Sequence, residues 1–445
     1  MIGMAVIYLP LNNFNYFHTD ARKREFVSCG MACGMAAAFG APIGGTLFGY
    51  EISQPNYFWE VQSTWRTFIA CSISVVMYSL LQDIYVHGPA SEWVLDSATF
   101  DFSTVVYPTP TFGSLPGALI IGAVCGLLGA LFVSMNTYCG MFRREHMSSS
   151  SLKMVEVTIL ALATTSFAYW LPYWVQAECY QGVSGDKTIV QYNCPKNQFN
   201  PLATLTMNSE GLIIRNIVSG FNEQANIVTL TTAKMGVFGI FWFIFSCLTY
   251  GSSLPSGPFL SAMLVGCSVG QIYENTRIFA FDLNPSDFSS LPIVMGAACM
   301  MSGYTRLSYS IVVLMLESSN SFNLAIPMIV GVFTTRTIAD LFTNSLFDRE
   351  IRNDQLPIIK GSLPDSSKDL KAHQIMSKKL VSIQSIAEMK SVTMALSSSH
   401  NAFPVLNTAG NLVGLLPKNI LNILCDRKCF YETRRLSIAT RQKNQ

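Results

Sequence analysis

The sequence predicts an all-α polytopic membrane protein of broken helices, followed by a small cytosolic α/β unit. Three observations predict it. Half of the 445 residues are hydrophobic and only 13% are charged, a balance foreign to soluble domains and usual for chains that place helices in lipid. The charges also cluster. No Asp, Glu, Lys or Arg lies between Glu25 and Glu51, Asp101 and Arg143, Glu156 and Glu178, Lys234 and Glu274, or Glu317 and Arg336. Each window accommodates the roughly 18 apolar residues that cross a hydrocarbon core, and together they predict around eight to ten passes or half-passes. Finally, helix breakers stand inside these windows, at Pro42 in "FGAPIGG" and along "YGSSLPSGPFLSAMLVG" from Tyr250 to Gly266. Broken helices survive at membrane depth only where their freed backbone groups meet protein, water or a ligand, so both breaks are candidate ion sites.

Taken in order, Met1 to Pro10 is apolar but has neither a basic leading segment nor a small-residue cleavage site, so no secretory signal is read there. The run "AAAFGAPIGGTLFGYEISQP" ends on one acid, Glu51, beside a hydrocarbon, Ile52. Glu51 reads as a helix-end carboxylate satisfied by neighbouring N–H groups. Gly30/Gly34, Gly40/Gly44/Gly45, Gly122/Gly126/Gly129 and Gly266/Gly270 repeat at the spacing that lets helix backbones approach in lipid. Cys179 and Cys194 flank the polar "YQGVSGDKTIVQYN", where a disulfide across an extracytosolic loop is expected. The other cysteines sit mostly in apolar windows as small hydrophobes. His18, His87, His146, His373 and His400 stand singly, no Cys/His pattern has metal spacing, and nothing points to an enzyme. Arg306 and Glu317, at the two ends of a short apolar helix, read as membrane-boundary residues.

After Phe347 the composition changes. Residues 1–347 form the membrane domain, 348–369 a polar linker with Pro and Gly, 370–428 a small α/β unit and 429–445 a basic tail. Within the unit, "KLVSIQ", "AFPVLN" and "LVGLLP" read as strands, "IAEMKSVTMALSSS" and "KNILNILCD" as helices, and "TAGN" as a turn. A net charge of +2 provides no electrostatic basis for nucleic acid as a partner.

The segment "GMAAAFGAPIGGTLFGYE" resembles the CLC family of chloride channels and chloride/proton exchangers, in the pattern A-A-F-x-A-P-x-G-G-x-L-F-x-x-E. Further stretches resemble the family in the same order: "IIGAVCGLLGALFVSMN", the G-x-F-x-P region in "YGSSLPSGPFLSAMLVG", the dimer-interface pair "LSYSIVVLMLESSNSFNLAIPMIVG" and "LFDREIRNDQLPII". "NQFNPLATLTMNSE" is similar to the luminal loop of the endosomal and lysosomal branch, and "HNAFPVLNTAGNLVGLLPKNIL" to a first CBS module. The resemblance implies a CLC-like broken-helix bundle in an intracellular membrane, and a homodimer or a heterodimer with a related subunit. It also implies chloride as the transported ion, with ATP bound only where CBS modules pair.

At the positions that carry transport the chain departs from that pattern. The G-S-G-I-P and G-K/R-E-G-P segments are absent, the second being replaced after "GMAV" by "IYLPL". In the G-x-F-x-P region the anion donors map onto Gly257, Pro258 and Phe259; Pro258 has no N–H, and Ser261 replaces the closing proline. The family's anion-contacting tyrosine maps onto Phe347, which cannot donate. The proton-passing glutamate maps onto Ile52, which predicts passive rather than proton-coupled transport. Ser252, Ser253 and Ser256 offer hydroxyls in compensation. Two other readings are a short non-conducting partner subunit and a membrane-anchored nucleotide-sensing scaffold.

Overall fold

The computed structural model describes residues 20–53, 61–87, 112–147, 149–175, 179–181, 190–196, 198–218, 231–282, 288–353, 371–376, 380–398 and 400–428. The chain forms two compact units, Met1–Gly361 and Ser362–Gln445.

In the first unit the Glu25–Glu51 window is two helices folded back on each other. Helix α1 (Asp20–Phe39) ends at Gly40, whose left-handed φ of +64° turns the chain, and α2 (Pro42–Ser53) starts with proline at a position that needs no N–H. Small residues let the two approach: a Cβ at Gly45 would stand 2.7 Å from the Ala36 Cβ, and one at Gly49 2.8 Å from the Ala32 Cβ. Then come α3 (Val61–His87), α4 (Leu115–His146) and α5 (Ser150–Trp174). Strands β1 (Tyr180–Gln181) and β2 (Gln198–Phe199) pair antiparallel. Helix α6 (Pro201–Met207) follows, its first turn capped by Asn200 Oδ1, which accepts from Leu202 and Ala203 N–H at 3.0 and 3.1 Å. The unit closes with α7 (Glu210–Val218), α8 (Thr232–Thr249), α9 (Pro258–Ala280), α10 (Leu291–Thr305), α11 (Tyr309–Ser319), α12 (Ala325–Phe342) and α13 (Leu346–Asn353).

Helix α10 is the axis of this unit. All 15 of its residues are buried, the mark of a helix that is apolar all round and enclosed by others. Glycines bring its neighbours in: Gly296 meets Gly266 of α9, Gly303 meets Gly129 of α4, and Gly122 of α4 meets Gly331 of α12. Each contact is between backbones, with no room for a Cβ, which is how helices gain dispersion in lipid. Among the described residues five helices are long and apolar enough to cross a membrane, with two shorter apolar ones, α10 and α11.

The second unit holds a three-stranded sheet in the order β3 (Ile383–Gln384), β4 (Ala402–Leu406), β5 (Leu412–Pro417). β3 and β4 are parallel, β4 and β5 antiparallel. Gly410, at φ +81°, turns the chain between β4 and β5. Helices α14 (Ala372–Ile375), α15 (Met389–Ser397) and α16 (Lys418–Asp426) complete it, around Ile383, Ala395, Phe403 and Leu421. The strand read from "KLVSIQ" forms only over its last two residues. The linker read as 348–369 begins inside α13, and the division between the two units, at Gly361/Ser362, falls within it. The linker beyond 353 and the tail 429–445 lie outside the described residues.

Candidate anion path

Both breaks read from the sequence are built as helix termini. At the first, α2 and α11 lie antiparallel, and each lends the other a carboxylate. Glu51, near the end of α2, accepts from Ser308 N and Oγ at 2.9 and 3.0 Å, from Ser310 N at 3.2 Å, and from Ser310 Oγ. These groups open α11, whose orphan N–H donors a carboxylate satisfies while complementing the helix dipole. Glu317, near the end of α11, accepts from Ile43 and Gly44 N–H at 3.2 and 2.8 Å and so caps α2. Glu317 is therefore a structural cap, with more to do than mark a membrane boundary. Ile52 is half-buried and packs on the main core.

The second break runs from Tyr250 to Gly257 between α8 and α9. Gly251 takes φ +77°, and Gly257 sits at the N-cap of α9 in extended geometry with no side-chain cap. Pro258 follows at the first position, buried, so the open donors of this terminus belong to Gly257, Phe259 and Leu260. Phe259 turns its ring edge-on to Phe48 at 5.4 Å. Gly257, Leu260 and Ser261 line a cavity of about 690 Å³ between α5, α6, α8 and α9. Ser261 Oγ and Ser256 Oγ donate to the Pro258 and Thr249 carbonyls at 3.1 and 3.3 Å, whereas Ser252 Oγ is buried without a partner among the described residues.

The same loop also lines a polar cavity of about 360 Å³, together with Arg143, Arg144, Lys153, Glu156 and Glu350 among others. Arg143 Nε donates to Glu156 at 2.5 Å, and its terminal nitrogens donate to the carbonyls of Leu248 and Tyr250. Asn136, two turns earlier on α4, donates to Cys247 O at 3.2 Å and Tyr250 O at 2.9 Å. Together they bind the orphan carbonyls that end α8. In the sequence Arg143 marks only the limit of a neutral window. Its signal was the i, i+7 pairing with Asn136 on one face of an apolar helix, where polar side chains are costly and functional.

The remaining sequence-marked residues lie elsewhere. Phe347 is half-buried on α13 and lines neither cavity. Cys179 and Cys194 are disulfide-bonded, their Cα atoms 5.8 Å apart. Arg306 is not a boundary residue: it is 7% exposed, ends α10 in left-handed geometry, pairs with Asp340 at 2.9 Å and donates to the carbonyls of Gly303, Ala339 and Thr343. A guanidinium has enough donors to close several carbonyls at once, which is why it is tolerated there.

A bundle of broken, glycine-packed helices, several of them long and apolar enough to cross a bilayer, defines an integral membrane protein. The family model for voltage gated chloride channels matches residues 1–340. The chain belongs to that family, CLC, and is an integral, multi-pass membrane protein. It is 30% identical to the bovine "H(+)/Cl(-) exchange transporter 7" over 96% of this chain and 53% of that one. It is 28% identical to "Chloride channel protein C" of Dictyostelium discoideum (89% and 52%) and 27% to "Chloride channel protein CLC-c" of Arabidopsis thaliana (94% and 55%). The chain thus spans about half the length of the curated relatives it matches. A crystal structure of a eukaryotic CLC transporter shares the fold, with a TM-score of 0.59 at 20% identity over 91% of this chain and 61% of that one. The mammalian relatives are exchangers by name, which does not support the passive reading drawn from Ile52.

Proposed function

We propose that the chain carries chloride across a membrane, with the first turn of α9 as its anion-stabilising element. The observation that carries the reading is the uncapped N-terminus at Gly257, opening into the cavity between α5 and α8. Unpaired N–H groups at the positive end of a helix stabilise an anion without the full charge that would hold it too tightly. The missing donor at Pro258 weakens the site by about 1–3 kcal/mol relative to a full set. A second copy or a related subunit is the partner and an intracellular membrane the location, both supported by the family resemblance. ATP at the C-terminal unit requires a paired module.

Coupling is the finer point. Two observations on it oppose each other: Ile52, which the resemblance maps onto the proton-passing glutamate, carries no proton, whereas the mammalian relatives are exchangers by name. Chloride efflux from liposomes bearing the purified chain, measured together with internal pH, tests both points. Efflux above that of empty liposomes is expected; efflux equal to theirs removes the transport reading. Proton movement driven by the chloride gradient removes the passive one.

A further inference from the structure

The two cavities beside the α8–α9 loop share one lining residue among those described, Tyr250. We propose that Tyr250 is the constriction and selectivity residue of the anion path, standing between a cationic entry chamber and the chamber at the α9 terminus. The inference rests on the chloride-transport reading and specifies its route. Arg143, Arg144 and Lys153 line the first chamber with Glu156 and Glu350; Arg143 and Glu156 neutralise each other, and the lining keeps a net excess of one positive charge. Gly257 opens the second chamber. An anion passing from one to the other meets the Tyr250 side chain.

The backbone at this point is fixed. Tyr250 O accepts from Asn136 Nδ2 at 2.9 Å and from an Arg143 terminal nitrogen at 3.0 Å, while Tyr250 N donates to Ser246 O at 3.0 Å. The ring is held as well, packed on the main core with its centroid 6.4 Å from that of Phe132. It brings a hydroxyl donor, which Phe347 lacks, and chloride, the more strongly hydrated anion, needs that donor in exchange for its water, whereas the large, weakly hydrated thiocyanate does not. Asn136 and Arg143 are positioning residues: they place Tyr250 and the loop that leads to Gly257.

The experiment uses the full chain in proteoliposomes, with Tyr250→Phe and Tyr250→Ala. Y250F is expected to lower chloride flux roughly tenfold, the factor one hydrogen bond to an ion supplies, and to shift preference toward thiocyanate. A second readout does not depend on flux. Ser256→Cys is offered an anionic thiosulfonate from the side on which Lys153→Cys reacts, and modification is read by mass spectrometry. S256C is expected to react slowly with Tyr250 present and severalfold faster with Y250A. If Y250A is not monodisperse, Tyr250→Ser replaces it. Equal labelling with and without the substitution, or an unchanged chloride/thiocyanate ratio in Y250F, overturns the proposal. A wild-type chain without chloride flux overturns the transport reading instead, and the labelling alone then decides whether Tyr250 closes the passage.

Discussion

Glu51 and Glu317 cap each other's helices: the carboxylate near the end of α2 closes the start of α11, and the one near the end of α11 closes the start of α2. Between them Gly44 meets Leu314 so closely that a Cβ would lie 2.5 Å from its Cα. The pair is a mutual clamp, and both ends fail together when the helices separate.

Removing one end leaves buried N–H groups without acceptors. Glu51→Ala is expected to cost about 1–3 kcal/mol, and Glu51→Gln less, because the amide oxygen still accepts. Thermal unfolding in detergent checks this; equal midpoints for both variants and the parent would show that the serine N–H groups find other partners.

Glycines at backbone contacts differ sharply from open ones. Gly296→Ala, against the Gly266 carbonyl, is expected to abolish a monodisperse product, whereas Gly236→Ala, with nothing within 4 Å of its Cβ, should behave as the parent or slightly better. Size-exclusion profiles of the two variants separate these outcomes.

The Cys179–Cys194 bond closes a loop with a sequence separation of 15. Its loss in Cys179→Ser is expected to cost about 3 kcal/mol by chain entropy. A melting curve of the parent in reducing agent should match that of the variant; a reductant-insensitive parent would mean that the bond does not form in the expressed protein.

Arg306→Ala strips several carbonyls of their donor and leaves Asp340 only its longer pairing with Arg336, at 3.7 Å. Because Asp340 is half exposed, water recovers part of the loss, and a destabilisation of about 2 kcal/mol is expected. Arg306→Lys should recover little of it, since one ammonium cannot span acceptors on both α10 and α12.

Much of the architecture is legible in the sequence because composition and spacing encode it. The breaks at Pro42 and Tyr250–Gly257, the glycine contacts and the α/β order of residues 383–426 follow from residue types alone. The site is less legible. Arg143 and Asn136 act on carbonyls more than 100 positions away, and backbone acceptors leave no trace in residue identity. Tyr250 looks like the end of a helix until the two cavities are seen to meet there. Arg306 reads as a boundary charge because nothing local announces the carbonyls that α12 brings to it.

The enclosure of α10 also constrains how the protein is made. At 15 residues it measures about 22 Å, shorter than the roughly 30 Å of a bilayer core, and no face of it is left for lipid. Such a segment gains little by leaving the translocon alone. It has to be handed over with α9, whose glycines receive it, so Pro258–Thr305 inserts as a pair, and a ribosome stalled before α10 emerges leaves α9 with its glycine face unmatched.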